Sequence, residues 1–142
     1  MNSVIPDLWP AIDEPTLPPP VAILRQQGIA LGQRTANLVY GEVKTISYPE
    51  QGAFTHVLWV VAPFLGFRTP ILVASHKLDL YPVEVGSWKP PEPEGQPYYT
   101  AHNPTEATTP EKFMEAIKDT LGLPANVKLL RALISQSEKP AG

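Results

Sequence analysis

The strongest constraint on the fold is the stretch from Phe54 to Ala62, because it is apolar on both of the faces that a β-strand would present. One face carries Phe54, Leu58, Val60 and Ala62, and the other carries Val57, Trp59 and Val61. A strand with two apolar faces is covered on both sides. The stretch is too short to cross a bilayer as a helix, which takes roughly 20 residues. We therefore predict a buried strand in the middle of a sheet, with the hydrophobic core built around it.

The chain is expected to reverse direction after this strand. Pro63 cannot donate a hydrogen bond to a neighbouring strand, and Gly66 tolerates the positive φ angle of a tight turn. Residues 71–76 then form the second strand of an antiparallel hairpin. A reversal centred on Gly66 predicts three cross-strand pairs: Leu58 with Ala74, Val60 with Leu72, and His56 with His76.

The predicted pairing of His56 with His76 is the sharpest chemical feature of the sequence. Opposed side chains in antiparallel strands have Cβ atoms about 5 Å apart, close enough for two imidazoles to share a proton or a metal ion. Zinc usually takes three or four protein ligands, whereas the chain has no cysteine and one further histidine, His102. We therefore favour rings that pack at the hairpin ends with their nitrogens bonded to backbone carbonyls or water, and we expect no metal and no other cofactor.

The segments on either side of this hairpin extend the sheet. Residues 21–33 have helical spacing, although Gly28 among them indicates either close packing against the sheet or a shorter helix. Residues 38–48 alternate as a strand with one solvated face, which makes the Phe54 strand the middle one of three. Residues 77–85 alternate again and predict a fourth strand at the sheet edge, where Pro82 is tolerated.

Two helices are expected in the last third of the chain. Thr109 and Pro110 open the first helix, and Pro124 opens the second. The predicted fold class is therefore α+β over residues 20–138: a small antiparallel meander sheet of three to four strands, with an N-terminal helix and a C-terminal helical hairpin packed on it and with long proline-rich loops. Residues 139–142 are expected to form a frayed tail.

Proline-rich segments hold most of the candidate recognition residues. Residues 1–19 are expected to form an extended arm, which either docks Trp9 on a neighbouring molecule or wraps its own domain. Residues 86–110 lack periodicity, and we expect a lid over one open face of the sheet, with Trp88 and Tyr98 in contact with that face. Tyr99 and His102 lie in the same segment.

Composition excludes several classes of function. A net charge of −3 with 18% charged residues gives no basic surface for nucleic acid, and no apolar run is long enough to span a membrane. The first residues lack the features of a secretory signal, so a cytoplasmic location is expected. The common nucleotide-binding and hydrolase motifs are missing.

These observations predict a non-enzymatic protein–protein interaction or assembly module, which binds a protein partner or a second copy of itself. The alternative is a small ligand-binding protein or enzyme, whose pocket lies between the sheet and residues 86–110 and uses histidines. The candidate site residues are Trp9, Trp88, Tyr98, Tyr99, His102, His56 and His76.

Overall fold

A five-stranded antiparallel sheet with helices on one face forms the body of the protein. The structure, a computed structural model, describes residues 4–14, 16–90 and 99–137. Its strands, in sheet order, are β1 Tyr40–Tyr48, β2 Ala53–Ala62, β3 Phe67–Lys77, β4 Val83–Trp88 and β5 Ala101–Ala107. Its helices are α1 Pro20–Arg34, α2 Pro110–Leu121 and α3 Pro124–Ser137. The predicted α+β class is confirmed, with five strands where three to four were expected.

The prediction of a doubly covered central strand is also confirmed. Strand β2 lies between β1 and β3, and its Leu58 and Val60 belong to the main core under the helices. Val57 points to the opposite face, where it pairs with Val73 of β3, and both side chains have 0% exposure. All three helices contribute to the core on the first face, through Leu24, Phe113 and Leu133.

The register of the β2–β3 hairpin differs from the predicted one. His56 pairs with Ala74 and Leu58 with Leu72, so the predicted pairing of His56 with His76 is wrong by two residues. The turn is shorter than the predicted one, because Pro63–Leu65 form a 3₁₀ turn that ends at Gly66 with φ 59°. The register also shifts between Leu58 and Trp59 of β2. A slip of two residues preserves the faces, so both histidines still lie on the same side of the sheet.

Two strands occupy part of the segment that was predicted to lack periodic structure. Strand β4 runs to Trp88, and β5 follows at Ala101–Ala107, so β4 is an inner strand and the prediction that it lies at the edge is wrong. Five consecutive residues of β5 are exposed, which is why its sequence shows no apolar alternation. Pro104 in β5 lacks an N–H donor, and an edge strand accommodates this.

Helix α1 packs on β1 through two glycines. A Cβ atom built on Gly28 would lie 2.5 Å from the carbonyl oxygen of Gly41, so neither residue can carry a side chain at this spacing. Gly28 therefore marks close packing, and the helix continues to Arg34. Among the described residues, no helix combines the length and apolar character needed to cross a membrane.

Candidate functional site

The N-terminal arm, residues 4–17, projects its apolar side chains into solvent. The side chain of Trp9 is 79% exposed. Four aliphatic side chains near it are between 76% and 85% exposed: Val4, Ile5, Leu8 and Ile12. Residues 4–14 have no regular secondary structure, and the amide of Trp9 donates to Asp7 Oδ1 at 3.0 Å. The alternative in which the arm wraps its own domain does not describe this arrangement, since a wrapped arm would bury these side chains.

The base of the arm is attached to the domain near the start of α1. The hydroxyl of Tyr81 donates to the carbonyl oxygen of Pro18 at 2.9 Å. Burial raises the pKa of that hydroxyl, and the nearby Glu111 carboxylate raises it further, so the phenol remains a donor near neutral pH. Pro19 enters the helix with φ −70° and ψ 149°, the geometry of an extended chain.

His56 and His76 form the most chemically distinctive cluster in the domain. Both are buried, with 4% and 8% exposure, and their Nε2 atoms lie 2.8 Å apart. His56 Nδ1 lies 2.8 Å from the hydroxyl of Thr45, and His76 Nδ1 lies 2.6 Å from the carbonyl oxygen of Lys77. Phe54 packs against the His76 ring, with 5.6 Å between ring centroids. All four ring nitrogens therefore have partners.

The carbonyl of Lys77 determines the direction of this hydrogen-bond chain. A carbonyl oxygen only accepts, so His76 Nδ1 carries hydrogen, and in a neutral ring its Nε2 is then an acceptor. His56 Nε2 must donate to it, and His56 Nδ1 in turn accepts from the hydroxyl of Thr45. The chain runs from Thr45 through both rings to Lys77, with each imidazole neutral.

The environment of His56 disfavours its charged form. Burial lowers the pKa of His56 to about 4, and the repulsion between a protonated His56 and Arg25, or His76 if it were also protonated, adds to the effect. No group of three or more histidine, cysteine or acidic side chains that could hold a metal ion occurs within the described residues. The two rings are joined by one N–H···N hydrogen bond, and both are buried, as in a contact that serves the structure.

The face of the sheet opposite the helices carries an aromatic and cationic cluster that the sequence analysis did not anticipate. Trp59 contacts Tyr99 edge to face, with 6.1 Å between ring centroids. Lys44 Nζ lies 5.2 Å and Arg68 Cζ 4.8 Å from the centroid of Trp59, and Arg68 bonds to Glu42 at 2.9 Å. The alternation of charged residues along β1 gave the only sequence signal for this face. Tyr99 therefore touches the sheet as a lid residue would, whereas Tyr98 lies outside the described residues.

Trp88 and His102 lie together at a different place. Both line a cleft of about 540 Å³ between the β4–β5 strands and the helices, whose other wall includes Asp119 and Asn126. His76 lines a separate cleft of about 360 Å³, together with the carboxylates of Glu84 and Glu106. Of the three histidines that the sequence singles out, His102 therefore lines the first cleft and His76 the second, whereas His56 lines neither.

A third cleft, which we call the groove, is almost entirely apolar. It has a volume of about 270 Å³ and lies between α1, the sheet and the C-terminal helices. Its lining residues are Gln27, Gly28, Ala30, Leu31, Arg34, Gly41, Leu58, Val60, Ile71, Leu121, Gly122 and Leu130. The sequence raised a packing question at Gly28 alone, and it gave no sign of the contact with Gly41 or of this space.

Comparison of the chain with protein-family models, with curated protein sequences and with solved structures gave no match.

Proposed function

We propose that this protein is a non-enzymatic interaction or assembly module, and that the arm is its binding element. The observation that carries the proposal is the exposure of Trp9 together with the four aliphatic side chains around it. Isolated apolar residues are common on protein surfaces, but five within nine residues form a continuous apolar segment. Tryptophan is also the residue type most enriched among those that dominate binding energy at protein interfaces.

The buried histidines support this proposal because all four of their ring nitrogens already have hydrogen-bond partners within the domain. His56 and His76 bond within the chain described above, and neither ring is more than 8% exposed. A general base must reach the proton that it abstracts, either directly or through one water molecule. The interaction function further agrees with the expected cytoplasmic location, where the absence of cysteine is unremarkable.

Affinity capture with the full chain tests the proposal. Wild type and the Trp9→Ala variant are immobilised and exposed to a lysate of the native host, and retained proteins are quantified by mass spectrometry. We expect specific retention to fall at least about tenfold in the variant. Ile29→Ala is the matched control, since Ile29 is an exposed apolar residue on α1, outside the arm. Equal retention by wild type and Trp9→Ala would contradict an arm-based function.

A small-ligand function is the second candidate, because Trp88 and His102 line one cleft with Asp119. An aromatic ring, an imidazole and a carboxylate around one space could orient a polar ligand. A thermal-shift screen of metabolites against wild type and His102→Ala distinguishes the two functions. A ligand that stabilises wild type but not the variant would favour this candidate, whereas the interaction module predicts that His102→Ala has no such effect.

A further inference from the structure

The groove has the dimensions and chemistry of a receptor for one large apolar side chain. Its floor is formed by Leu58 and Val60 of β2, and its sides by Leu31 of α1 and Leu130 of α3. Gly28 and Gly41, which touch where α1 crosses β1, also line the space. Leu31 and Leu130 are only partly buried, so an occupant would complete their removal from water.

The two helices that form the sides of the groove, α1 and α3, carry charges of one sign. Helix α1 carries Arg25 and Arg34, helix α3 carries Lys128 and Arg131, and neither helix contains an aspartate or a glutamate. Arg34 itself lines the groove. Helix α2, whose Leu121 also lines the groove, carries Glu111, Glu115 and Asp119 beside two lysines, so the positive charge belongs to the α1 and α3 sides of the groove.

The arm carries the complementary charge. Residues 4–17 contain Asp7, Asp13 and Glu14, and no lysine or arginine. The three carboxylates flank Trp9 on both sides along the chain, so an arm that inserted Trp9 into the groove would bring them towards the basic helices. Opposite charges across an interface raise the rate of encounter and fix the orientation of the partners.

The arm does not occupy the groove of its own chain. Trp9 is exposed, and the groove lies beside the second half of α1, from Gln27 to Arg34, while the arm joins the first turn of that helix at Pro20. To return along α1, the chain would have to reverse within the stiff run Pro18–Pro20, whose first carbonyl is bonded to Tyr81. A second molecule imposes no such reversal.

We infer that the groove binds the arm of a second copy of this chain, with Trp9 inserted between α1 and α3. Reciprocal insertion of two arms gives a two-fold symmetric dimer with two equivalent contacts. The inference rests on the proposed interaction function and specifies the partner as the chain itself. Each contact combines one aromatic anchor, a residue type enriched at interface hot spots, with arm carboxylates brought towards Arg34.

Cysteine trapping tests this inference directly, because the chain has no cysteine of its own. Two single variants are prepared, Ala11→Cys in the arm and Gln27→Cys at the groove, and they are mixed under mild oxidation. The arm variant keeps its mass of 15.6 kDa while the variant mixed with it carries a fusion tag, so the mixed disulfide runs apart from both homodimers on a non-reducing gel. We expect its yield to exceed by at least about tenfold that of Ala11→Cys mixed with Glu50→Cys, which lies in the exposed β1–β2 turn. Equal yields, or no disulfide, would overturn the inference.

The same two cysteines in one chain distinguish exchange from self-docking. Reciprocal exchange predicts covalent dimers from the Ala11→Cys, Gln27→Cys double variant. A disulfide confined to the monomer at high dilution and at high concentration would mean that the arm binds its own groove, and would overturn the inference.

Sedimentation analysis over a wide concentration range provides the independent measurement. We expect the wild-type chain to dimerise, and Trp9→Ala to weaken dimerisation about thirtyfold. Because Trp9 is exposed, this variant leaves the folded domain intact. A wild-type chain that stays monomeric, while Trp9→Ala still abolishes capture of a host protein, would overturn the inference and leave the proposed function standing. Loss of neither property in Trp9→Ala would contradict both.

Discussion

The Nε2 atoms of His56 and His76 lie 2.8 Å apart, and the carbonyl of Lys77 beyond them determines which nitrogen of each ring carries hydrogen. The consequence is a directed chain of three hydrogen bonds across neighbouring strands. Both rings are buried in this hydrogen-bonded arrangement and accept it only when neutral, so the stability of the folded protein depends on pH. Two predictions concern this pair, and two others concern the packing on each face of the sheet.

The first prediction is that the protein loses stability as the pH falls from about 6.5 to about 4. The folded state holds the pKa of His56 at about 4, below the ordinary value of 6.5. The unfolded chain therefore takes up a proton first, so the stabilisation is complete above pH 6.5 and is lost on acidification. This histidine alone would cost up to about 3 kcal/mol of unfolding free energy by pH 4.

Urea unfolding at a series of pH values measures this loss. Carboxylates also contribute to acid unfolding, so the informative quantity is the difference between wild type and His56→Gln. The variant should have a shallower pH dependence between pH 6.5 and 4, whereas His102→Gln, which changes an exposed histidine, should follow wild type. Parallel curves for all three proteins would contradict the assignment.

The second prediction concerns the tautomers of the two rings. Long-range ¹H–¹⁵N correlation spectra at neutral pH should show His76 as the Nδ1–H form and His56 as the Nε2–H form, because the hydrogen-bond chain permits no other neutral arrangement. Exposed His102 serves as the internal reference. If His56 carried its hydrogen on Nδ1, the direction assigned to the chain would be wrong.

The third prediction is that Gly28→Ala destabilises the protein by about 2 kcal/mol or more. Helix propensity alone would predict a gain of about 1 kcal/mol, so the two effects differ in sign. The new Cβ would lie 2.5 Å from the Gly41 carbonyl oxygen, and α1 would have to move off the sheet. Chemical denaturation followed by circular dichroism measures the change.

Gly66→Ala is the control for Gly28→Ala. Nothing lies within 4 Å of a Cβ at Gly66, so this change tests backbone strain at φ 59° without a steric clash and should cost about 1 kcal/mol. A stabilised Gly28→Ala variant would show that the close approach of α1 to β1 is not required. Displacement of α1 would also change the shape of the groove beside these glycines, so arm binding should weaken in parallel.

Sequence patterns predicted the features that depend on which face of a strand its buried apolar residues occupy. The two apolar sets between Phe54 and Ala62 required a central strand covered on both faces, and β2 has this position. The proximity of His56 to His76 was also predictable, because an error of two residues in register leaves a side chain on the same face. The register itself depends on how the turn at Pro63–Leu65 closes, and several turn geometries suit those residues.

Exposed features left no comparable pattern. Strand β5 is held by backbone hydrogen bonds to β4 and has exposed side chains, so its residues lack the alternation that identified the other strands. The groove is lined by residues of α1, the sheet and the C-terminal helices, including the touching pair Gly28 and Gly41, and these come together only in the folded chain. Trp59 appeared in the sequence as one more core residue, although it pairs with Tyr99 across about forty positions in the chain.

The fourth prediction tests whether Tyr99 covers the face of the sheet opposite the helices. Its ring meets Trp59 edge to face at 6.1 Å, and the indole Nε1 of Trp59 is buried with no hydrogen-bond partner among the described residues. Removal of the ring by Tyr99→Ala should cost about 1 kcal/mol of unfolding free energy, because the lost aromatic contact is partly offset by hydration of Nε1.

Acrylamide quenching of Trp59 fluorescence measures how accessible the indole is to solvent, and this measurement is independent of stability. In a background with Trp9→Phe and Trp88→Phe, the remaining indole should become clearly more accessible to quencher when Tyr99 is changed to alanine. Phe67→Ala is the control, since Phe67 is an exposed aromatic residue at the start of β3. If quenching were the same in the Tyr99 and Phe67 variants, Tyr99 would not be a cover for Trp59, and other residues would have to shield that face.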